Sequence, residues 1–500
     1  MTLIHSFTHS RVRKEKSNIY GILGLIFIGM GLSVVIAYLV VDESWQIALG
    51  IILAIPVGLL LNRYPFVGLM VWLILMPFLV ETNGGVLRKA YSLIHRVLPL
   101  AMLGFVVTGS LLRINKHKLP KLGWPEVGML GYILVSVLSI LYLNDDIKAT
   151  LIHYYDRVVI PMCLYLFVRL SQPGEKELRW LLPVVIFIVI TQTIIGLLSW
   201  MAPQFLPSYW LGRVGTRTEG SFGAYSVFTS TLAFCGLFIA YAAVNEKLKF
   251  MQIWYLFLLS LALFMIFLSF SRGSWLAAIL IMFGLIYIYP KFMLRYLIFI
   301  LPIVMLVLSA GFMSDYRSWA SQRFYSEGSR EAAGSRLPIY YASYQMFKTK
   351  PLFGWGYNNF DRYDRQFQTA IGEFSAQKDH ASHNVYLTLI AEQGITGLLL
   401  FTLPLLWWLV QTLSVWGKFP QHGFVNRNLI FIFWLVMLFH VVVNNFSNMR
   451  VVFGLGMWWI TLGLIACTAN SFQTSRSSLN RPISKMSSNA VKNFKDFRIG

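Results

Sequence analysis

Charged residues are scarce in this chain of 500 residues, and acidic ones are the scarcest. Only 13% of the residues are charged, with 21 Asp and Glu against 42 Lys and Arg. A soluble chain of this length needs several charged domain surfaces, so the composition excludes that class. The cysteines are only three, Cys163, Cys235 and Cys467, and all lie in apolar runs without the spacing of a metal site or a disulfide framework.

Apolar residues make up 57% of the chain and are concentrated in long runs. About 20 apolar residues span a hydrocarbon core about 30 Å thick. The runs therefore predict an all-α polytopic membrane protein with about 12–14 transmembrane helices. The expected spans are 19–40, 45–62, 65–81, 93–112, 124–143, 151–170, 180–200, 224–244, 249–270, 274–290, 294–313, 384–412, 427–445 and 450–469.

The excess positive charge lies mostly in short connections, as in a membrane protein whose orientation it fixes. The net charge of +21 therefore does not indicate a nucleic-acid partner. The distribution predicts that both termini are cytoplasmic and that the connection over 314–383 lies on the outer side. The predicted organisation is a basic cytoplasmic N-terminus at 1–18, transmembrane helices 1–11 at 19–313, a long periplasmic loop at 314–383, the last three transmembrane helices at 384–469 and a basic cytoplasmic tail at 470–500.

The long loop is rich in arginine and in aromatic residues, which is unlike a disordered linker. SRLPIYYASYQMFK (335–348) predicts an amphipathic helix lying on the outer interface or over a cavity. Its expected apolar face consists of Leu337, Tyr340, Tyr341, Tyr344 and Phe347. In KPLFGWGYNNF (350–360) the GxG has no strand-turn-helix context, so it predicts a turn rather than a nucleotide site.

Three arginines fall near the expected outer membrane face. Arg272 lies in FSRGSW (270–275), whose small neighbours would let an oxyanion approach closely, and Arg217 lies in GRVGTRTEGSFG (212–223). Either side chain could instead contact lipid headgroups. Arg157 follows Asp156 inside its span, where it could mark a site or form a local ion pair.

Two histidines begin HASHNVYLTLIAEQGITGLL, which starts at His380 and leads into a span. His380 and His383 are candidate general bases, because an unperturbed imidazole titrates near the working pH. An interfacial role is the alternative, and with no third ligand in view we expect no metal site. Glu392 lies about two turns deeper and is expected to face the bundle interior, while Gly394 and Gly397 should permit close helix packing.

FSRGSW, GSRLPIYYASYQMFKTKPLFGWGYNNF and the histidine segment resemble, in their order and spacing, the serial motifs of the O-antigen ligase and polymerase superfamily. The resemblance is clearest over about 210–400. Members of this superfamily are bacterial inner-membrane transferases that use undecaprenyl-diphosphate-linked glycans. Family members often carry Pro-Asn where this chain has Ala224-Tyr225, so contacts next to Arg217 should differ.

The resemblance implies roles for individual residues. His383 would be the general base, with His380 as the alternative, while Arg217 and Arg272 would hold the donor diphosphate. Arg336 matches a recurrent position of the superfamily and joins the candidate diphosphate ligands. The candidates for a supporting role are Arg157, Asn384 and Glu392.

The expected function is glycan transfer on the periplasmic face, without metal or other cofactor. The expected partners are an undecaprenyl-diphosphate-linked glycan donor, a glycan or lipid A-core acceptor, and the lipid bilayer. Sequence does not separate a ligase from a polymerase, since the two differ only in acceptor. The alternative from another class is a transporter of lipid-linked sugars or small anions, although the chain has no convincing internal repeat.

Overall fold

The computed structural model describes residues 60–79, 85–111, 119–211, 217–309, 336–371, 382–447 and 451–479, and isolated positions at 56, 58 and 334. The expected spans 19–40 and most of 45–62, and also His380, lie outside these residues. The chain divides into two units, Met1–Pro65 and Phe66–Gly500. The first is described only at its end, where Tyr64 N donates to Leu60 O at 2.7 Å. Everything below concerns the second unit.

Helices dominate the second unit, which confirms the all-α polytopic class. Within the described residues, nine helices are long and apolar enough to cross a membrane. In chain order the helices are α1 (Pro65–Leu79), α2 (Val86–Leu111), α3 (Trp124–Leu143), α4 (Ile147–Ser171), α5 (Glu175–Met201), α6 (Tyr225–Asn245), α7 (Lys249–Leu268), α8 (Arg272–Ile288), α9 (Pro290–Ser309), α10 (Arg336–Thr349), α11 (Phe360–Phe367), α12 (Val385–Ser414), α13 (Arg427–Asn444) and α14 (Val452–Leu479).

Most helices lie within a few residues of the spans expected from hydropathy, but α2, α4 and α5 begin several residues earlier. The first turn of α5 is charged, so a search for apolar runs does not include it in the expected span. Its helical form is stabilised by an Arg179–Glu175 pair at 2.8 Å and by Glu177, which accepts from Gly174 N at 3.0 Å. Capping and i,i+4 pairing extend the helix beyond its apolar run.

Two helices form the centre of the bundle. In the membrane-length windows of α6 and α14, 89% and 94% of the residues are buried. α6 packs against α5, α7 and α13, whereas α14 packs against α4, α12 and α13. Small residues permit close approach: a Cβ on Gly463 of α14 would lie 3.2 Å from the Tyr165 carbonyl oxygen of α4.

The amphipathic helix expected over 335–348 is observed as α10, but its packed face differs from the expected one. Ile339 and Met346 pack with Phe360 and with Ala391 of α12. The expected face was wrong, since Leu337, Tyr341 and Tyr344 are exposed. The reason is steric, because the small side chains of Ala342 and Ser343 let α10 approach its neighbours, which leaves the bulky aromatic side pointing away.

α12 is broken at Gly394, where φ is +64° and ψ is −164°. A break inside a membrane helix frees backbone groups that lipid cannot satisfy. Residues 350–356, which we call the docking turn, supply the missing partners. The four hydrogen bonds run from Ile395 N to Pro351 O (2.9 Å), from Thr396 N to Leu352 O (3.2 Å), from Trp355 N to Ala391 O (3.0 Å) and from Gly356 N to Glu392 O (2.7 Å).

Two glycines make this junction sterically feasible. Gly354 has φ +66°, and a Cβ there would overlap the backbone of Glu392 and Gln393. A Cβ on Gly394 would overlap the Leu352 carbonyl. Gly394 therefore contacts the docking turn rather than a second membrane helix, contrary to the packing role expected for it. The turn predicted from GxG is observed, with Gly356 at φ +98°.

We expect Gly354→Ala to lower the unfolding temperature of the detergent-solubilised protein. The left-handed backbone alone costs about 1–3 kcal/mol for a residue with a side chain, and the overlap with α12 adds to that cost. The matched control is Gly417→Ala, because a Cβ there has no atom within 4 Å. Equal unfolding temperatures for the two variants would contradict the described junction.

Candidate active site

Arg217 precedes a short segment that is anchored on two helices. Thr218 N donates to Leu268 O at the end of α7 at 3.4 Å. Ser221 N donates to Gln192 Oε1 of α5 at 3.1 Å, and Gln192 Nε2 donates to Ser221 Oγ at 2.9 Å. These bonds hold the segment 218–222 against α5 and α7, so Arg217 lies at the end of α7.

The guanidinium of Arg217 lies 4.8 Å from the centre of the Tyr225 ring. Among the residues that the structure describes, its buried Nε has no hydrogen-bond partner. Tyr225 supplies a cation–π contact to this side chain. Arg217 is therefore held half-buried by an aromatic face, and its Nε is available as a donor within the described part of the chain.

Arg272 is the first residue of α8, and its side chain is exposed. Ser271 caps the helix by accepting from Ser274 N at 3.3 Å. A Cβ on Gly273 would lie 2.7 Å from Phe446, so the start of α8 lies directly against the turn after α13. A helix N-terminus favours negative charge, and the arginine there adds a full positive charge.

His383 lies directly before α12 with a left-handed φ of +52°. Asn384 caps the helix, because its side-chain oxygen accepts from Tyr386 N and Leu387 N at 3.0 Å each. Its amide nitrogen donates to Asn445 O at 3.3 Å, in the same turn as Phe446. Capping thus orients Asn384 away from any direct chemistry and fixes where the chain leaves His383.

A continuous series of contacts brings three candidate residues to one end of the bundle. Arg217 adjoins the end of α7. Three residues separate that end from the start of α8 at Arg272. Arg272 adjoins the turn after α13, and that turn binds the cap that follows His383. Arg336 begins α10, which packs on α12, but no contact of its side chain joins it to this series within the described residues. We call this end of the bundle the site end.

The docking turn and α11 are fixed to the same region through the connection between α3 and α4. Asn144 donates to Tyr357 O at 3.1 Å and to Asn359 Oδ1 at 3.1 Å. Arg362 pairs with Asp145 at 2.7 Å, and this hydrogen bond raises the pKa of the arginine. Residues 357–362 of the long loop are therefore attached to the membrane bundle.

A cavity of about 100 Å³ lies beside the first turns of α12. Its polar lining includes Arg157 and Glu392, which the sequence suggested only as supporting residues. Glu392 is buried, as expected, and its Oε1 accepts from Phe360 N at 3.1 Å. The lining residues are Tyr132, Arg157, Val158, Tyr357, Asn358, Val385, Thr388, Leu389, Glu392, Phe401, Leu455 and Trp459.

An ion pair with Asp156 was one of the two roles expected for Arg157. Asp156 pairs with a different arginine instead. Both of its carboxylate oxygens accept from Arg96 of α2, at 2.7 Å each. The adjoining His95 contacts the Asp156 carbonyl oxygen at 2.9 Å. The backbone is π-helical on both sides of this contact, at Ser92–Val97 and at Tyr155–Val159. Such bulges are frequent at functional sites.

Arg96 was missed by sequence reasoning, although a signal was present. An ionisable pair such as His95-Arg96 inside an apolar run marks a bundle-facing position. The partner of Arg96 could not be found in this way, because Asp156 is 60 residues away along the chain.

A comparison with protein families gives an independent result. The family model described as O-antigen ligase matches residues 255–402. This part of the chain is therefore similar to the O-antigen ligase family. The matched region contains Arg272, Arg336 and His383, whereas Arg217 and Arg157 precede it. No curated protein matches the chain. The resemblance found in the motifs is confirmed, and the matched region includes the docking turn and α12 as far as residue 402.

We expect Arg96→Met to destabilise the protein, because it leaves the nearly buried Asp156 carboxylate without its cation. Breaking a buried pair costs about 3–5 kcal/mol. The effect here should be smaller, about 2 kcal/mol, since the Arg96 side chain is 31% exposed and the pair is not fully buried. The measurement is thermal unfolding in detergent.

Adding Asp156→Asn to Arg96→Met should recover most of that loss, because no charge is then left unpaired. Arg179→Met, which removes a pair exposed to solvent, is the control. A loss no larger than that of the control, or no recovery in the double variant, would contradict the ion-pair account.

Proposed function

We propose that this chain transfers a glycan from an undecaprenyl-diphosphate donor to an acceptor hydroxyl at the outer face of a bacterial inner membrane. The similarity to the O-antigen ligase family supports a glycan-transferring membrane protein. The observation that carries the finer proposal is the meeting of the segments bearing Arg217, Arg272 and His383 at the site end. A base beside two cations is the arrangement that this reaction requires.

In the proposed reaction, His383 accepts the proton of the acceptor hydroxyl as that oxygen forms a bond to the anomeric carbon of the donor sugar. The bond from the anomeric carbon to the diphosphate oxygen breaks, and its electron pair leaves with undecaprenyl diphosphate. Arg217, Arg272 and Arg336 are assigned to this anion, since charge-assisted hydrogen bonds to phosphate oxygens are strong. These cations supply the stabilisation that a metal ion would otherwise give, so the proposal needs no metal. His380, which lies outside the described residues, is the alternative base.

A ligase and a polymerase would use the same site with different acceptors. A ligase would move a finished glycan to an acceptor such as lipid A-core, and a polymerase would join repeat units. Deletion of the gene in its source bacterium separates them when the surface glycans are resolved on a gel. Unattached full-length polymer indicates a ligase, and single repeat units indicate a polymerase.

Transport of lipid-linked sugars or small anions is the second candidate. The break in α12 and the polar cavity beside it favour this candidate, because transporters use interrupted helices around substrate sites. The backbone groups at the break are bound by the docking turn, however, and do not face the cavity as free ligands. Flux of a lipid-linked sugar across proteoliposomes without any glycosidic product would support transport and contradict transfer.

We expect His383→Ala to abolish glycan transfer by the purified protein while its insertion in the membrane is unchanged. General-base catalysis contributes about 10²–10⁴-fold, so residual activity should fall below a hundredth of the wild-type value. The measurement is in vitro transfer from a lipid-diphosphate donor. Full transfer by His383→Ala would exclude it as the base.

Arg217→Ala and Arg272→Ala provide a contrast in the same assay. Each should raise the KM for the lipid-diphosphate donor, because each removes a cation assigned to the diphosphate. Normal donor use by both variants would contradict that assignment, whatever the result for His383.

The orientation predicts that the loop before His383 faces the periplasm. Ala370 is exposed, so a cysteine there is accessible to reagents. In a variant without Cys163, Cys235 and Cys467, we expect Ala370→Cys to react with a membrane-impermeant maleimide in intact spheroplasts. Labelling only after the membrane is permeabilised would reverse the proposed topology.

A further inference from the structure

The polar cavity beside α12 is lined by side chains that have no part in the proposed reaction. It contains one cationic and one anionic side chain, Arg157 and Glu392, and Glu392 is held in place by a hydrogen bond from Phe360 N. It also contains the aromatic rings of Tyr357 and Trp459 and the smaller polar side chains of Asn358 and Thr388.

Arg157 belongs to the cavity because its neighbour Asp156 is bound elsewhere. Asp156 accepts from Arg96 through both carboxylate oxygens, and the π-helical turn Tyr155–Val159 sets the two adjacent side chains in different directions. An intramembrane arginine is expensive to retain and usually serves a site. Its position in a cavity wall, rather than against Asp156, favours a ligand-binding role.

Glu392 is positioned by the helix break. Its backbone carbonyl accepts from Gly356 N, and its Oε1 accepts from Phe360 N, so both ends of the residue are tied to the docking turn and α11. The carboxylate thus has a fixed place in the same cavity wall as Arg157 and Val158 of α4, although it lies within a membrane-length helix.

The composition of the wall selects the class of ligand. A prenyl chain would leave a charged pair desolvated against hydrocarbon, which is costly. A diphosphate would be repelled by Glu392, and a single carboxylate offers too few ligands for a divalent cation. A neutral sugar ring fits, because its hydroxyls donate to a carboxylate and accept from a guanidinium, while its apolar C–H face packs on aromatic rings.

The cavity is also next to the proposed base. Val385 and Thr388, in the first turn of α12, belong to its wall, and His383 is two residues before Val385. We propose that this cavity is the acceptor subsite, which binds a sugar ring of the acceptor glycan through Arg157 and Glu392. This inference rests on the proposed transfer reaction, and it holds equally for a ligase and for a polymerase because both have glycan acceptors.

The first test measures binding without catalysis. The probe is the unlipidated oligosaccharide released by mild acid from the surface glycan of the source bacterium, titrated by calorimetry into the full-length protein in detergent. Glu392→Gln and Arg157→Gln should each raise the Kd of the protein for this oligosaccharide about tenfold or more, since each removes a charge-assisted hydrogen bond. Glutamine at 392 keeps a side-chain oxygen that accepts from Phe360 N, so Glu392→Gln should preserve folding. Arg157→Lys is a second variant at that position. It keeps the positive charge, and so should preserve folding, but it loses the planar guanidinium that donates several hydrogen bonds.

The controls are Glu175→Gln and Arg179→Gln, which make the same chemical changes in an exposed pair on α5. They should leave the Kd unchanged. An equal Kd for the wild type and for all cavity variants would overturn the acceptor subsite.

The second test separates this inference from the proposed reaction. His383→Ala should bind the oligosaccharide as the wild type does while transferring nothing. In transfer assays, Glu392→Gln should raise the KM for the acceptor about tenfold or more and leave the KM for the donor unchanged. A rise in the donor KM alone would assign the cavity to the donor and overturn the inference. If the wild type transfers nothing but the binding result holds, the reaction fails and the sugar subsite stands.

Discussion

The break in α12 at Gly394 is the constraint on which the rest of this structure depends. Lipid offers no hydrogen bonds, so the freed backbone groups must be bound by protein, and the docking turn binds four of them. Two glycines allow that contact at distances that no side chain would permit. The docking turn is consequently tied to α12, and Glu392 is held in the cavity wall by the same junction.

Charge placement follows from this framework. The bundle contains few ionisable groups, and those near the site end have defined positions. Arg96 binds Asp156 through both carboxylate oxygens, which leaves Arg157 for the cavity, while Arg217 rests on Tyr225 and Arg272 lies at a helix N-terminus. Arg217 and Arg272 thus place two positive charges at the site end, as the binding of an anionic donor requires. The proposed function divides these groups between a diphosphate, at Arg217 and Arg272, and a sugar ring, at Arg157.

Local signals predicted most of the fold, and the contacts distant in sequence were beyond them. Apolar runs predicted the described spans because a membrane helix satisfies its backbone hydrogen bonds within its own segment. Asn384 and Ser271 directly precede helices and are residue types that commonly cap them. The motif order predicted the similarity to the O-antigen ligase family over 255–402. The partner of Asp156, the docking of Gly354 on α12 and the cavity at Glu392 depend on residues far apart in the chain, which periodicity does not relate. The packed face of α10 was misjudged because hydrophobicity favours its large aromatic residues, whereas close packing favoured Ala342 and Ser343.

The central claim is that Arg217, Arg272 and His383 together form the site where the donor diphosphate reacts. The most direct measurement is an experimental structure of the full-length protein in lipid nanodiscs with a non-cleavable phosphonate analogue of the undecaprenyl-diphosphate sugar. The account predicts the two phosphorus groups within hydrogen-bond distance of Arg217 and Arg272, with the anomeric carbon facing His383. A well-resolved analogue bound away from both arginines, or with its sugar on the far side of the bundle from His383, would contradict the account.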